Sequence, residues 1–516
     1  MKNRIKQYLL AASMCVGLTA CSDFFEPIPG VQFGLDETFA SKQRTEEYLN
    51  NVYSYVREVT DAIHPNTYGG IFTEASLDGA NRWNKTYAEW TNGSFNSASA
   101  QASEYFSKYY QAIAKASTFI QNVDKCTEAA ASTRGKWKSE ARALRAYYYF
   151  ELLRLYGPIP LIGEDPIPLD ASLEELIKER NSVDECVNFI ATELQSAIDS
   201  GDLLQRAGKA NLGRMDVATC MALKAKLYLY WASPLFNGNT DQASVKNKDG
   251  RQLFPQTEDN SKWTQARDAY ERFMTFATGQ GYKLTEVYTN GKLDPYASCR
   301  AAGEFFTTTW EAVDELIFVK LRDLYDYTYW VCPKFTDFQD TDVTGGGGYY
   351  TTQETVDLFF TKDGLTIEED PGYDKFEGIP SANNFTSGRY YDPNNPSRLY
   401  FDADKSKVLK QWKDREPRFY VNITYSGSIW LNEGKYNEEM RTDFTNGANG
   451  TCGKSKASGD CPDSGYLIRR GAKASNNNGS KHFSPVLRLA DMYLGYAEAL
   501  CMCSDLDNAL TYLNKI

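Results

Sequence analysis

Residues 137–160 read WKSEARALRAYYYFELLRLYGPIP, and this stretch decides the fold. Apolar and aromatic side chains recur every three to four residues from Trp137 to Tyr156, which is the spacing of one face of an α-helix. Gly157 and two prolines follow, and proline cannot continue a helix because it lacks a backbone N–H donor. We therefore predict a long helix that ends at Tyr156.

The same spacing recurs along the chain and predicts further helices at residues 105–123, 183–198, 217–231, 263–277, 486–502 and 506–516. Asp216 is the expected N-cap of one of them, and Ser484-Pro485 the expected N-cap and first residue of another. Paired helices at these separations are typical of a tetratricopeptide-like repeat array. The expected fold class is mainly α, with one region of different character.

That region lies between about residues 281 and 483, where Gly, Asn, Asp and aromatic residues dominate and helical periodicity fades. This composition predicts a loop-rich region with short strands, and we expect the region to face the ligand. We expect a single domain over 37–516, with a helical scaffold at about 37–280 and 484–516. The apolar stripe is unfinished at Ile516, so we expect the natural chain to continue beyond it.

Composition excludes several classes of protein. The 516 residues are 42% apolar and 24% charged, as in ordinary globular proteins. Acidic side chains (68) outnumber basic ones (56), giving a net charge of −12, so a nucleic-acid partner is disfavoured. There are only two histidines, His64 and His482, which disfavours histidine-rich metal sites and most His-dependent catalysis. We expect no metal site and no cofactor.

The first twenty residues have the features of a secretory signal. Lys2, Arg4 and Lys6 precede a short apolar run, and residues 18–21 read LTAC. This tetrad resembles a bacterial lipobox, in which Cys21 would become the lipidated first residue of the mature chain; the alternative is a plain signal peptide. A tether would follow over 21–36. No later stretch approaches 18 consecutive apolar residues, so the lipid would be the membrane anchor.

Nine cysteines remain after Cys15 and Cys21, and an odd number in an exported chain leaves at least one thiol. Cys452 and Cys461 could close a small disulfide, and this pairing is left open. There is no CxxC pair, which argues against a zinc or thioredoxin-like site.

Several segments together resemble the SusD/RagB family of outer-membrane lipoproteins from Bacteroidota. These are, in chain order, the lipobox at Cys21, the helix at 140–161, Gly213-Arg214-Met215 with 222–229, Lys362-Asp363-Gly364, Arg415-Glu416-Pro417-Arg418, and the helix at 485–499. The family's arginine-rich continuation of the last helix is absent.

The resemblance implies four tetratricopeptide-like units and a variable loop-rich portion. It implies a surface lipoprotein of the outer membrane, facing the cell exterior. Such a protein captures glycans, or in some branches peptides, and delivers them to a SusC-like TonB-dependent transporter. It also implies that the chain is not an enzyme.

Aromatic residues are 14% of the chain, and a sugar site needs aromatic faces beside groups that pair with hydroxyls. Two segments offer both. The glycan-binding candidates are Asp78, Arg82, Trp83, Trp90 and Asn92 in the first segment and Tyr327, Tyr329 and Trp330 in the second. The alternative for each aromatic residue is ordinary burial.

Other patterns in the sequence do not indicate a phosphate-binding loop, an EF-hand or a hydrolase. Gly345–Gly348 lacks the Gly-Lys-Ser/Thr of a phosphate-binding loop and is expected to be a flexible loop. Asp337, Asp340 and Asp342 could bind a cation, but their spacing does not match an EF-hand and no Glu closes the loop. No spacing singles out a carboxylate pair, so a glycoside hydrolase lacks a positive signal. Charged residues of the family-like helices are expected to form structural ion pairs: Arg142, Arg145, Glu151, Arg488, Asp491 and Glu498.

Overall fold

The structure is a computed structural model. It describes residues 34–57, 76, 79–81, 89, 93–165, 167–168, 171–303, 314–323, 331–335, 345–375, 378–430, 440–445, 452, 460–472 and 481–516. The proposed signal segment and lipidated Cys21 lie outside these residues.

Thirteen helices lie within the described ranges. They are α1 (Leu35–Ala40), α2 (Lys42–Ser54), α3 (Ala100–Asn122), α4 (Ala131–Tyr156), α5 (Leu173–Leu176), α6 (Val183–Asp199), α7 (Val217–Ala232), α8 (Ser261–Gly279), α9 (Pro295–Gly303), α10 (Gln353–Asp357), α11 (Pro417–Asn422), α12 (Leu489–Met502) and α13 (Leu506–Leu513). The predicted long helix is confirmed as α4, which ends at Tyr156.

Helix ends follow the local chemistry of the sequence. Gly157 caps α4 with a φ of 68°, a left-handed conformation that favours glycine. Asp216 caps α7 as predicted, since its carboxylate accepts a hydrogen bond of 2.7 Å from the Thr219 amide. Helix α1 begins inside the expected tether because the Glu37 carboxylate accepts a hydrogen bond from the Gly34 amide.

Eight of the described helices form a continuous array. Each of α2, α3, α4, α6, α7, α8, α12 and α13 packs against the next in that order. Together with α1 we call them the helical scaffold. Their buried faces form one core, which includes Phe119, Leu144, Tyr148 and Phe273. This arrangement confirms the tetratricopeptide-like, mainly α fold class.

The predicted ion pairs form within the helical array and beside it, and some of them join two helices. Arg145 is fully buried, and its Nε lies 2.8 Å from Glu193 Oε2. Arg142 reaches the same carboxylate at 2.9 Å. Lys226 on α7 pairs with Asp491 on α12 at 2.6 Å.

Other predicted ion pairs do not join two helices. Glu151 pairs with Arg154 at 2.7 Å and with Arg57 at 3.4 Å, and Arg488 pairs with Glu315 at 3.1 Å. Among the described residues, Glu498 alone of the six has no ion pair.

The loop-rich region, residues 281–488, enters the array between α8 and α12. Its described strands are β2 (Tyr288–Thr289), β3 (Lys292–Leu293), β4 (Leu316–Asp323), β5 (Tyr349–Tyr350), β6 (Arg389–Asp392), β7 (Asn395–Asp402), β8 (Ile423–Thr424), β9 (Leu467–Ile468) and β10 (Lys481–Arg488), while β1 (Ala80–Asn81) comes from the earlier chain. Strands β4 and β10 pair antiparallel, and β4 packs on α7. This pair connects the loop-rich region to the helical scaffold.

The predicted helix start at Ser484-Pro485 is wrong. Both residues lie in β10, opposite Lys320 and Val319, and the helix begins only at Leu489. The register shifts between Pro485 and Leu487, which marks a bulge. Proline is tolerated at such a position because the lost N–H donor is not needed by a regular ladder.

A second core lies inside the loop-rich region and is largely aromatic. Tyr400 and Tyr420 stack with ring centroids 3.9 Å apart and an interplanar angle of 11°. Trp412 contacts Tyr425 at 4.9 Å between centroids and donates a hydrogen bond of 3.0 Å to the Tyr466 hydroxyl. The region is therefore a packed unit with its own apolar centre.

Within the described residues, no helix is both long enough and apolar enough to cross a bilayer.

Candidate functional site

A small sheet gathers four distant parts of the chain. Its strand order is β1-β5-β9-β8, each strand is two residues long, and all pairings are antiparallel. Ala80 lies opposite Tyr350 and Asn81 opposite Tyr349, while Tyr350 also faces Leu467. The sheet therefore fixes the chain next to the first candidate segment against the loop-rich region.

Gly79 allows the first strand to approach its neighbours closely. A Cβ atom at this position would lie 2.8 Å from Ile468 Cδ1 and 3.0 Å from the Tyr349 ring. Tyr349 is buried. A larger residue at 79 would have to push β1 away from β5, so glycine is required for this close packing.

The glycine run next to β5 is packed, which corrects the expectation of a flexible loop. Residues 345–348 are buried, and the amides of Gly345 and Gly347 donate to the carbonyls of Pro333 (3.0 Å) and Cys332 (2.9 Å). A Cβ on Gly347 would lie 3.0 Å from the Asp460 carbonyl oxygen. Glycine serves here to bring three backbone segments together.

All eight glycan-binding candidates lie outside the described residues: Asp78, Arg82, Trp83, Trp90, Asn92, Tyr327, Tyr329 and Trp330. Their described neighbours, however, meet. Asn81, the last residue of β1, faces the first residue of β5. Two residues before β5, Gly347 bonds Cys332, which follows the second segment. The chain thus enters one segment and leaves the other at the same end of the sheet.

Sequence reasoning did not find this junction. The residues that form it are Gly79, Gly347 and Tyr349, together with Leu467 and Cys332. Two-residue strands carry no alternation that a sequence pattern could show. The glycine run was the one available signal, since a glycine within a strand pattern indicates close backbone approach.

The family-like elements in this region are structural. Arg415 is buried, and its guanidinium donates to the Val356 carbonyl at 2.7 Å and to the Tyr373 hydroxyl at 2.7 Å. The Lys362 amide donates to the Asp414 carbonyl at 2.8 Å. These bonds link the two short motifs, 362–364 and 415–418, to each other through neighbouring backbone.

The described residues include no cluster of three or more His, Cys, Asp or Glu side chains that could hold a metal ion. Asp337, Asp340 and Asp342 lie outside them. No disulfide joins Cys452 to Cys461, and both side chains are buried.

Clefts also lie elsewhere in the described structure. An apolar cleft of about 440 Å³ lies on the helical scaffold, against Phe106, Tyr110 and Leu176. A charged cleft of about 270 Å³ lies beside Lys362, Asp374 and Lys410 in the loop-rich region. Neither of these two clefts is lined by residues of the two candidate segments.

Two family models and one relative match parts of this chain. A family model described as "SusD family" matches residues 315–516, and one described as "Starch-binding associating with outer membrane" matches 32–229. A SusD-like protein of Bacteroides ovatus is 27% identical over 175 residues, which are 33% of this chain and 30% of that relative's length.

Solved structures share the fold. The protein BT4246 superposes with a TM-score of 0.70 at 23% identity, covering 92% of this chain and 81% of that one. A SusD-like carbohydrate-binding protein of Bacteroides fragilis gives 0.60 at 18% identity, covering 90% and 75%. The two family matches together cover more than half of the chain and agree with the helical array and its inserted region. The chain belongs to the SusD family.

Proposed function

We propose that this protein is a non-catalytic glycan-binding lipoprotein of the cell surface. It would capture oligosaccharides or polysaccharides and deliver them to a SusC-like TonB-dependent transporter. One observation carries the proposal: two segments rich in Trp, Tyr, Asp, Asn and Arg adjoin the same end of one small sheet. The family's description as starch-binding supports a carbohydrate ligand.

The chemistry of the two segments suits a sugar. The flat faces of Trp83, Trp90 and Trp330 can cover the apolar C–H face of a pyranose. Asp78, Arg82 and Asn92 can exchange hydrogen bonds with its hydroxyls. The packed glycine run and the buried Tyr349 provide a rigid base for such a surface.

Anchoring and delivery belong to the same proposal. Lipidation at Cys21 would hold the chain at the outer membrane, in keeping with the family's description as associating with that membrane. Replacing Cys21 by Ser should release the protein into soluble fractions and abolish fatty-acid labelling. Persistent labelling of Cys21→Ser would contradict the anchor. Gentle detergent extraction should co-purify the transporter, and repeated recovery of the lipoprotein alone would count against that partner.

Binding without turnover is the central test. The mature protein is run through gels containing different polysaccharides, and release of reducing ends is followed in parallel. We expect retardation by at least one glycan and no release from any. Truncating Trp83, Trp90 or Trp330 to Ala should weaken retardation, by about thirtyfold for a binding hot spot.

Trp231→Ala is the matched control. Trp231 lies on α7 of the helical scaffold, where its indole N–H donates to Asp184 at 2.6 Å. This variant should bind glycans like the wild type once circular dichroism shows that it is folded. Steady release of reducing ends would overturn the non-catalytic proposal. Retention by peptides and by no glycan would overturn the ligand class.

A further inference from the structure

Arg469 is a buried cation with no anion. It directly follows β9, and only 6% of its surface is exposed. Among the described residues its side chain has no ion pair, and its Nε is buried without a hydrogen-bond partner. Burial lowers the pKa of the guanidinium, and the nearby cation Arg300 acts in the same direction.

Two further donors lie close to Arg469 and are equally unsatisfied. The guanidinium carbon lies 5.8 Å from the centre of the Trp430 ring, and Trp430 is 2% exposed. The Trp430 indole N–H and the Tyr425 hydroxyl are both buried without a partner. Burial raises the pKa of Tyr425, and the positive charge of Arg469 acts against that rise. Three polar groups close to one another are thus buried without a hydrogen-bond partner.

Other buried arginines in the described structure have hydrogen-bond acceptors for their guanidinium groups. Arg145 is fully buried against the Glu193 carboxylate, and Arg415 donates to backbone carbonyls. An arginine stays protonated in proteins, and an unpaired buried charge destabilises the fold strongly. The Nε of Arg469, unlike the guanidinium groups of Arg145 and Arg415, therefore lacks an acceptor, and an anionic ligand could supply one.

Two further arginines lie near Arg469. Arg300 on α9 and Arg470 are both half-buried beside it, and the Cβ position of Gly303 on α9 lies 3.8 Å from Arg470 Cγ.

We propose that Arg469, with the Trp430 N–H as a second donor, binds the charged oxygen group of an acidic saccharide, either a carboxylate or a sulfate ester. This deepens the proposed function and rests on it. Arg469 extends from β9, a strand of the small sheet that adjoins the glycan-binding candidates. The forked donors of arginine match the paired oxygens of such a group.

The test compares acidic with neutral ligands on the mature protein. Gel retardation is measured with polygalacturonate, a sulfated galactan and a neutral galactan. The melting temperature is measured with galacturonate or galactose at matched ionic strength. We expect an acidic polymer to retard the protein more strongly than the neutral galactan does. We also expect galacturonate, but not galactose, to raise the melting temperature. Arg469→Gln should abolish that rise and weaken acidic retardation by about thirtyfold or more.

Arg251→Gln is the control for charge. Arg251 is exposed and pairs with Glu185 on the helical scaffold, so its loss should leave both readouts unchanged. Without ligand, Arg469→Gln should melt at or above the wild-type temperature, because it removes an uncompensated charge. A clear drop would instead indicate a structural role and overturn the site. Should Arg469→Gln fail to fold, Arg469→Lys keeps the charge, loses the fork and should bind acidic polymers more weakly.

The outcomes separate this inference from the proposed function. Retardation by neutral galactan with none by acidic polymers would overturn the anion site and leave glycan binding intact. An Arg469-dependent rise with galacturonate, in a chain retarded by no polymer, would support the anion site and contradict the proposed function. Acidic binding that survives Arg469→Gln unchanged would overturn the assignment of Arg469.

Discussion

The helical scaffold and the loop-rich region are stabilised by different interactions. In the scaffold, amphipathic helices pack in sequence order and buried ion pairs such as Arg145–Glu193 join neighbours. In the loop-rich region, aromatic rings from distant positions stack, with Tyr400 against Tyr420. The helical scaffold is therefore built from contacts between elements that follow each other along the chain, whereas the loop-rich region depends on contacts between residues far apart in sequence.

The largest expected effect concerns the scaffold. Replacing Arg145 by Met leaves Glu193 without its fully buried partner, which should lower the free energy of unfolding by about 3–5 kcal/mol. Arg142→Met removes a partly exposed partner of the same carboxylate and should have a smaller effect. Guanidinium unfolding followed by circular dichroism measures both. Equal losses from the two variants would show that burial of Arg145 does not matter.

The aromatic core should be separable from the scaffold. Trp412→Ala removes a ring contact with Tyr425 and a hydrogen bond to Tyr466, and should destabilise by about 3 kcal/mol. Amide exchange should then accelerate in the loop-rich region and stay slow in the helices. Trp263→Ala, on α8 of the scaffold, is the converse control. Uniform acceleration from either variant would show that the two regions unfold as one unit.

Sequence predicted the scaffold well because its information is local. The apolar spacing of 137–156, the Gly157-Pro158 stop and the Asp216 cap each lie within a few residues of what they determine. The helix start predicted at Ser484-Pro485 was wrong because a distant contact decides the structure there. The pairing of β10 with β4, about 160 residues earlier, overrides a local helix-start signal.

The candidate site was predictable only in part. The aromatic and polar residues of two segments predicted a sugar-binding surface, and the family resemblance predicted a glycan as the ligand. The junction of Asn81, Tyr349 and Cys332 depends on pairing between distant strands, which no period in the sequence records. Arg469 gave no signal, since an arginine in a strand-like stretch reads as a surface residue until its burial is known.

Asp216 gives the scaffold a pH dependence that can be isolated. Burial raises the pKa of its carboxyl to about 6, from an ordinary value of 3.8. Between about pH 4 and 6 the folded chain holds a proton that the unfolded chain has lost, so stability should fall as pH rises through this window. The loss should be about 2 kcal/mol.

Asp216→Asn should flatten this part of the curve while its side-chain oxygen still caps α7. Thermal unfolding from pH 4 to 7 measures the difference between variant and wild type. Asp505→Asn, at the N-cap of α13, is the matched control. A constant difference between Asp216→Asn and wild type across this range would contradict the role of Asp216.

The smallest expected effect concerns the junction itself. Gly347 has a φ of 55°, so Gly347→Ala adds left-handed strain of about 1–2 kcal/mol, and its new Cβ presses on the Asp460 carbonyl. Gly364→Ala adds the strain alone, since no atom lies within 4 Å of that Cβ position. We expect glycan retardation to weaken for Gly347→Ala and to persist for Gly364→Ala. Equal retardation of the two variants would show that the glycine run does not contribute to glycan binding.

Hydrogen exchange with and without a retarding glycan tests the central claim most directly. If recognition lies at the small sheet, the glycan should slow exchange at 79–81, 331–335 and 345–350. Exchange in the scaffold around Phe106 and Tyr110 should stay the same. Protection confined to the apolar cleft beside these two residues, with none at the sheet, would contradict the claim.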